Sequence, residues 1–279
     1  LFFRHSSALH LLFSIFLSNS LDKRKKNWQA FLSYRMAYSC ENHTKYEVIS
    51  MKYEHMIPAV FQSRPNRFIA YAGIGGTQVT CHVKNTGRCR ELLVPGAPLF
   101  LQHHPNAAAL GRKTEYSVIC VRKETDHGSI LINMDSQAPN QAAYEWLCSR
   151  GISPKREVRF GNSRFDLAFE ENGVPAFMEV KGVTLEENKT ARFPDAPTER
   201  GLKHLKELEL AAAEGCRAYL LFVIAMKGVT SFEANRATHP EFADALAHAA
   251  AHGVRILAYD CHVTPNSLDI DSPVPVTFV

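Results

Sequence analysis

Three side chains between residues 163 and 181 have the types and spacing needed to cleave a phosphodiester bond. Asp166 lies in the run Ser-Arg-Phe-Asp, and Glu179 and Lys181 lie in Met-Glu-Val-Lys. Two carboxylates can hold Mg²⁺ or Mn²⁺ through oxygen, and a bound metal makes water a better nucleophile. A lysine can offset the charge that develops in the transition state. We therefore expect Asp166 and Glu179 to be metal ligands, and both acids and Lys181 to be catalytic.

The chain between these residues predicts a β-hairpin that brings the two acids together. Asn172-Gly173 separates two alternating runs, which is the strongest local signal for a two-residue type I′ turn. This turn pairs residues whose numbers add to 345, so Asp166 lies opposite Glu179, with Cβ atoms about 4.5–5.5 Å apart. Two opposed carboxylates repel each other unless a cation or a shared proton lies between them. The other face is expected to be core and contains Phe165, Leu167, Phe169, Ala176, Met178 and Val180.

The order of elements around the hairpin predicts an α/β sheet covered on both faces. The predicted helices span residues 141–148, 199–214 and 240–252, and the further strands span residues 156–160, 218–224 and 254–259. An aspartate, a spacer and Glu-x-Lys in this setting resemble the core of the PD-(D/E)XK nucleases. Glu145 on the first helix is either a third acid of the site or a solvated side chain. On the second helix, Arg200 is a candidate phosphate ligand, and His204 is either a proton relay or a structural histidine.

The first half of the chain shows short strands between turn residues, which predicts a small barrel of the OB type. A Greek-key sandwich is the alternative. The predicted strands span residues 68–71, 78–83, 99–102, 115–121 and 129–132. A segment rich in basic residues follows the second strand and is either a phosphate-binding loop or a solvated turn. Its candidate nucleic-acid ligands are Lys84, Asn85, Arg88 and Arg90.

Charge and cysteine content narrow the class of protein. Residues 1–50 contain seven basic and three acidic residues, whereas residues 51–279 contain 25 of each, so the overall charge is no argument for nucleic-acid binding. Within residues 51–150 the count is 11 basic to 7 acidic, which places any attraction for phosphate in the first half. The seven cysteines lack zinc spacing and suggest a reduced, cytoplasmic protein.

Residues 1–50 differ from the rest of the chain. An apolar stretch precedes a basic cluster, the reverse of a signal peptide, and it is too short to span a membrane. We interpret these residues as upstream sequence that is not native, or as a disordered basic tail, and expect no membrane association.

Four long motifs identify the chain as similar to the sugar fermentation stimulation protein (SfsA) family. They are His-Val-Lys-Asn-Thr-Gly-Arg-Cys-Arg-Glu-Leu-Leu (residues 82–93), Asn-Ser-Arg-Phe-Asp (162–166), Met-Glu-Val-Lys-Gly-Val-Thr-Leu (178–185) and Phe-Pro-Asp-Ala-Pro-Thr-Glu-Arg-Gly (193–201). The resemblance implies an OB-like barrel at residues 51–136 and a PD-(D/E)XK nuclease-like α/β domain at residues 137–279. It also implies DNA binding of low sequence specificity and a role in regulating sugar (maltose) metabolism.

Three functions remain open at this point. The preferred one is a DNA-binding regulator with a nuclease-like fold. The second is an active Mg²⁺-dependent nuclease that uses Asp166, Glu179, Lys181 and His204, and the third is a binding module for an anion or a sugar phosphate. The sequence leaves open the oligomeric state, the choice between DNA and RNA, and any base preference.

Overall fold

The computed structural model describes residues 51–85, 87–161 and 163–278. The interpretation of residues 1–50 therefore lies outside the described residues. Residues 51–158 and 163–278 belong to one compact unit. Within this unit the strands form a six-stranded sheet at the N-terminal end, a second six-stranded sheet and a smaller four-stranded sheet.

The first sheet closes into a five-stranded barrel, as predicted. Strands β1 (Met56–Asn66), β2 (Ile69–Ile74) and β3 (Thr77–Val83) form a meander, and β4 (Pro98–His103) pairs with β1. Strand β5 (Tyr116–Thr125) pairs with β4 on one side and with β3 on the other, which closes the barrel. Strand β6 (Gly128–Asn133) then continues from β5. This closed order is that of an OB barrel, so the alternative of a Greek-key sandwich is wrong.

The sequence analysis missed β1, the strand that completes the barrel. Pro58 and Pro65 lie within it, and proline in a run normally argues against a strand because it cannot donate a ladder hydrogen bond. The structure accommodates irregularity here, since the pairing of β1 with β2 shifts register between Phe61 and Ser63 and again between Ser63 and Asn66. The five strands predicted from the sequence correspond to β2–β6.

The second sheet has the order β15-β14-β12-β9-β8-β7. Its strands are β7 (Lys155–Phe160), β8 (Ser163–Glu171), β9 (Val174–Val183), β12 (Arg217–Ile224), β14 (Val254–Thr264) and β15 (Ser267–Pro273). Strand β12 is parallel to both β9 and β14, whereas β8 is antiparallel to β9 and β15 is antiparallel to β14. Strand β14 was predicted to end at residue 259 but continues to Thr264, and β15, which forms a hairpin with it, was not predicted.

Helices cover both faces of this sheet, which confirms the predicted α/β class. Helix α1 (Ala138–Ser149) contributes Ala142 and Leu147 to one apolar cluster with Leu167 and Met178. Helix α2 (Glu199–Ala213) contacts β12 and β14, and helix α3 (Pro240–Ala251) contacts β14. Helix α2 begins at Thr198, whose side chain accepts a hydrogen bond from the Gly201 amide at 3.0 Å.

One residue of the predicted core face points the other way. Leu167, Phe169, Ala176, Met178 and Val180 share one cluster as expected. Phe165 is buried, but its ring centroid lies 5.3 Å from that of Phe177, a neighbour of Met178 in the strand and therefore on the opposite face. The alternation along β8 breaks at Asp166, so the prediction for Phe165 was wrong.

The small sheet lies beside the segment that leads into α2. It contains β10 (Leu185–Glu187), β11 (Thr190–Phe193), β13 (Ser231–Ala234) and β16 (Val276–Thr277), none of which was predicted. Lys123 of the barrel donates to the Glu186 carboxylate at 2.7 Å and to its backbone carbonyl at 2.6 Å. This partly buried ion pair joins the small sheet to the barrel.

Two further sequence expectations concern cysteines and membranes. The described cysteines 81, 89, 120, 148, 216 and 261 are all free, and burial raises the pKa of the Cys81 and Cys89 thiols to about 12. Among the described residues, no helix is both long and apolar enough to cross a membrane.

Candidate active site

From the turn as far as Leu167 the hairpin of β8 and β9 has the predicted register, but the ladder ends there, so the predicted pairing of Asp166 with Glu179 does not form. Leu167 pairs with Met178, Phe169 with Ala176 and Glu171 with Val174, and Asn172 has a positive φ of 52°, as a type I′ turn requires. At the far end of the hairpin the regular pairing stops after Leu167, and the Asp166 carboxylate occupies the position where a strand neighbour would otherwise bond. The turn thus places Asp166 beside the start of the Glu179-Val180-Lys181 run.

Both oxygens of Asp166 accept hydrogen bonds. Asn140 of helix α1 donates its side-chain amide to Oδ1 at 2.8 Å, and the backbone amide of Val180 donates to Oδ2 at 2.8 Å. Burial and the nearby charge of Glu179 nevertheless raise the pKa of Asp166 above its usual range. The carboxylate is therefore held in one orientation by two donors, in surroundings that disfavour its negative charge.

Glu179 is almost fully buried, with 1% of its surface exposed. Its Oε1 accepts from the Lys181 ammonium at 2.6 Å and also contacts Nδ1 of His204. Burial alone would raise the pKa of Glu179, but the His204 hydrogen bond and the Lys181 charge outweigh it, so its pKa lies below the usual range. The other oxygen, Oε2, is buried and has no hydrogen-bond partner.

His204 and Arg200 come from helix α2, one turn apart. The Arg200 Nε donates to His204 Nε2 at 3.3 Å, so Nε2 acts as the acceptor and the ring proton lies on Nδ1. From Nδ1 the ring donates to Glu179, and Lys181 lies 3.2 Å from the same nitrogen. Both ring nitrogens are thus occupied, and the histidine orients Glu179.

These residues fit a divalent cation. A buried carboxylate oxygen without a partner is costly, and a cation would satisfy it. A cation would also remove the repulsion between Glu179 and Asp166 that raises the Asp166 pKa. Two carboxylates and water are a normal ligand set for Mg²⁺. Among the described residues no cluster of three or more His, Cys, Asp or Glu side chains could hold a metal, so protein ligands beyond the two acids would be few.

Glu145, the candidate third acid, does not reach this site. Its Oε1 accepts from Gln141 at 2.5 Å and its Oε2 accepts from the Met51 backbone amide at 2.9 Å. The residue of helix α1 that contacts the site is Asn140, one turn earlier. The alternative that Glu145 is merely solvated is also wrong, because its carboxylate accepts a hydrogen bond that connects residue 51 to the helix.

Sequence reasoning missed Asn140 and the close approach that positions it. A Cβ atom added to Gly182 would lie 2.7 Å from Pro139 Cγ, so only glycine lets β9 approach the first turn of α1 this closely. The proline next to Asn140 and the glycine after Lys181 were the available signals. Neither could be interpreted without knowing that the two elements touch.

The basic loop of the barrel is divided between structural and exposed side chains. Lys84 forms an ion pair with buried Asp135, 2.5 Å from its Oδ2, and the Asn85 side chain accepts from the Gly87 amide at 2.9 Å. Both predicted phosphate ligands are therefore already engaged. Arg88 and Arg90 are exposed on either side of buried Cys89, which has a positive φ of 43°.

The comparisons with known proteins agree with this architecture. Residues 63–133 match the model of the SfsA N-terminal OB domain, and residues 137–267 match that of the sugar fermentation stimulation protein RE domain. Together they confirm the predicted order of an OB domain followed by a second, C-terminal domain.

Curated relatives match almost over their whole length. The sugar fermentation stimulation protein homolog of Desulfitobacterium hafniense (strain Y51) is 51% identical over 234 residues, which covers 82% of this chain and 99% of that protein. The homolog of Clostridium beijerinckii is 48% identical over 231 residues, 81% of this chain and 99% of that protein. The structure of Pyrococcus furiosus SfsA in complex with Ca²⁺ superposes with a TM-score of 0.72 at 28% identity, covering 81% of this chain and 98% of that one.

Proposed function

We propose, from the fact that this chain belongs to the sugar fermentation stimulation protein family, that it binds nucleic acid and cleaves phosphodiester bonds with a divalent metal. The observation that carries the proposal is the buried, unpartnered Oε2 of Glu179 beside a second carboxylate. The Ca²⁺ in the structure of Pyrococcus furiosus SfsA supports a divalent cation for this family fold. Mg²⁺ or Mn²⁺ is the proposed working ion.

The roles of the side chains follow from their contacts. Asp166 and Glu179 would hold the metal, which when bound supplies an electrophile for the phosphate and acidifies an attacking water. Lys181 keeps its ammonium on Glu179 Oε1 and is 15% exposed, so it can neutralise charge on a phosphate that approaches Glu179. Its place two residues after Glu179 puts both side chains on one strand face.

Of the two roles expected for His204, this proposal keeps the structural one, and Arg200 keeps its expected role as a phosphate ligand. Since His204 donates from Nδ1 and accepts at Nε2, it positions Glu179, and we no longer assign it proton relay. Arg200 is exposed and contacts the ring edge, so its guanidinium can bind a phosphate at the mouth of the site while it orients His204.

A regulator that binds DNA without cutting it is the second candidate. The observation that favours it is that the exposed Arg88 and Arg90 lie in the barrel, apart from the acids, so binding does not need the metal site. Regulation of sugar (maltose) metabolism in the cytoplasm would use this surface. Contacts to phosphate carry no base information, which fits low sequence specificity.

Cleavage of end-labelled single- and double-stranded oligonucleotides with Mg²⁺ or Mn²⁺ tests the proposal. Wild type should cut, and Lys181→Ala and Lys181→Arg should both lose cutting, because arginine cannot replace the compact ammonium between Glu179 and His204. Lys203→Ala, an exposed lysine on α2, is the control and should cut normally. Calorimetry with Mn²⁺ supplies the second arm: Asp166→Ala should lose binding, and Glu145→Gln should keep it.

The outcomes separate the two candidates. Wild type that binds Mn²⁺ and nucleic acid but cuts no substrate rejects the enzyme and leaves the regulator. Equal Mn²⁺ binding by wild type and Asp166→Ala removes the metal site itself.

A further inference from the structure

A groove on the barrel is lined by four arginines. It has a volume of about 560 Å³, and its arginines are Arg64, Arg67, Arg88 and Arg90. Among its described lining residues there is no aspartate or glutamate. The Asp195 carboxylate lies against Gly87 of the lining, but four arginines leave the groove positively charged overall, which favours a polyanion. The other lining residues are Phe61, Gln62, Ser63, Asn66, Gly87, Leu93 and Pro95.

The Arg64 side chain holds together the segments that line the groove. Its guanidinium donates to the backbone carbonyls of Arg88 at 2.8 Å, of Arg67 at 2.8 Å and of Asn85 at 2.9 Å. One side chain thus ties the end of β1 to the basic loop and supplies positive charge that no carboxylate in the lining offsets. The register shifts of β1 fall in the same segment, between Phe61 and Asn66. Bulges of this kind often re-aim side chains next to a binding site.

An aromatic side chain stands exposed beside the groove. Phe68 has 45% of its surface exposed, and the guanidinium carbon of Arg67 lies 4.8 Å from the centre of its ring. Exposed aromatic rings next to basic side chains are the usual platform on which proteins stack unpaired bases. A duplex offers no free base faces, because its bases are already stacked on one another.

We infer that this groove binds single-stranded nucleic acid, with arginines on the phosphates and Phe68 under a base. The inference rests on the proposed function, since it names the substrate class of the same protein. Gly87 lines the groove and lies against Asp195, because a Cβ atom there would be 2.3 Å from the Asp195 carboxylate. Asp195 precedes helix α2, and Arg200 lies on that helix. A nucleic-acid strand that leaves the groove past Gly87 therefore approaches Arg200.

Fluorescence anisotropy of labelled 20-mers in EDTA measures binding without cleavage. Wild type should bind a single strand of DNA or RNA at least about fivefold more tightly than the matched duplex. Phe68→Ala should weaken single-strand binding by about 5- to 150-fold, the loss of one stacked base. The control is Phe278→Ala, a phenylalanine with 47% exposure outside the groove, which should bind like wild type.

The salt dependence tests the arginines. Each phosphate contact with a single strand contributes about 0.7 to the slope of log affinity against log salt. Arg88→Ala/Arg90→Ala should therefore lower the slope by about 1.4, whereas Arg122→Ala/Lys113→Ala, outside the groove, should leave it unchanged.

Two results would overturn the inference. One is a duplex that binds as tightly as the single strand, and the other is an affinity of Phe68→Ala equal to that of Phe278→Ala. Either result leaves the proposed cleavage intact if metal-dependent cutting is found. If instead the wild type cuts no substrate but binds a single strand in a way that depends on Phe68, the enzyme is rejected and the single-strand site is kept.

Discussion

The side-chain amide of Asn140 donates to Asp166 Oδ1 at 2.8 Å, and this bond joins helix α1 to the hairpin that contains the acids. The first turn of the helix approaches β9 closely enough for the contact because residue 182 is glycine. The orientation of the proposed metal ligand therefore depends on a helix residue that lies 26 positions earlier in the chain.

Replacing Asn140 by alanine should weaken Mn²⁺ binding by about 10- to 100-fold, the usual effect of losing a partner that orients a metal ligand. The reason is that Asp166 loses one of two donors that hold its carboxylate. Calorimetry measures the affinity, with Gln141→Ala on the same helix as the control. An unchanged affinity for Asn140→Ala would show that Val180 alone orients Asp166.

The affinity for Mn²⁺ should decline as the pH falls. The decline should begin at a higher pH than for an aspartate with the usual pKa. Asp166 must lose its proton to bind a metal, and burial followed by the charge of Glu179 raises its pKa. Lys181 lowers that pKa, so Lys181→Met should move the decline in Mn²⁺ affinity to still higher pH. Lys203→Met is the control. A decline at the same pH in Lys181→Met and wild type would contradict the prediction.

Asp166 also makes the free energy of unfolding depend on pH. The direction is opposite to that of a carboxylate whose pKa is lowered by an ion pair. Because its folded pKa is raised, the contribution of Asp166 is most favourable below its unfolded pKa and is lost as the pH rises through the folded pKa. The bound metal removes this cost. The increase in melting temperature on adding Mn²⁺ should therefore grow with pH, which thermal denaturation at several pH values measures.

Lys84→Met should reduce the free energy of unfolding by more than it reduces the free energy of nucleic-acid binding. Lys84 is paired at 2.5 Å with Asp135, which is buried and also accepts from Tyr53 and from the Gln137 amide. Breaking a buried pair costs about 3–5 kcal/mol, and the remaining donors place the expected loss near the lower end. Urea denaturation measures it, with exposed Lys113→Met as the control. A large loss of affinity in the folded variant, without loss of stability, would restore Lys84 as a phosphate ligand.

Gly182→Ala should destabilise the fold by about 1–3 kcal/mol through overpacking. The added Cβ would lie 2.7 Å from Pro139 Cγ, and the ring cannot move without shifting α1. Gly73→Ala is the matched control, since there the added Cβ would meet the far end of the flexible Gln62 side chain at 3.1 Å. Equal denaturation midpoints for the two variants would show that α1 shifts at little cost.

The sequence by itself determined the hairpin, its turn and the register next to the turn. Asn172-Gly173 allows one turn type, this turn allows one register, and alternation then places Glu179 and Lys181 on one face. Each of these steps is local, so none requires knowledge of the rest of the fold. The helices and most barrel strands were also predictable, because their apolar periodicity lies within each segment. The strand β1 was hidden, since its prolines oppose the local pattern.

The tertiary structure decided what the local pattern could not show. Asn140 rather than Glu145 faces the acids because of how α1 packs on β9, and Phe165 turns to the other face where the ladder ends at Leu167. Lys84 forms an ion pair with Asp135, 51 residues away. Arg64 binds the basic loop by donating to the backbone carbonyls of Arg88 and Asn85. Such pairings depend on which distant segments pack together, and the local spacing of residue types does not show which segments those are.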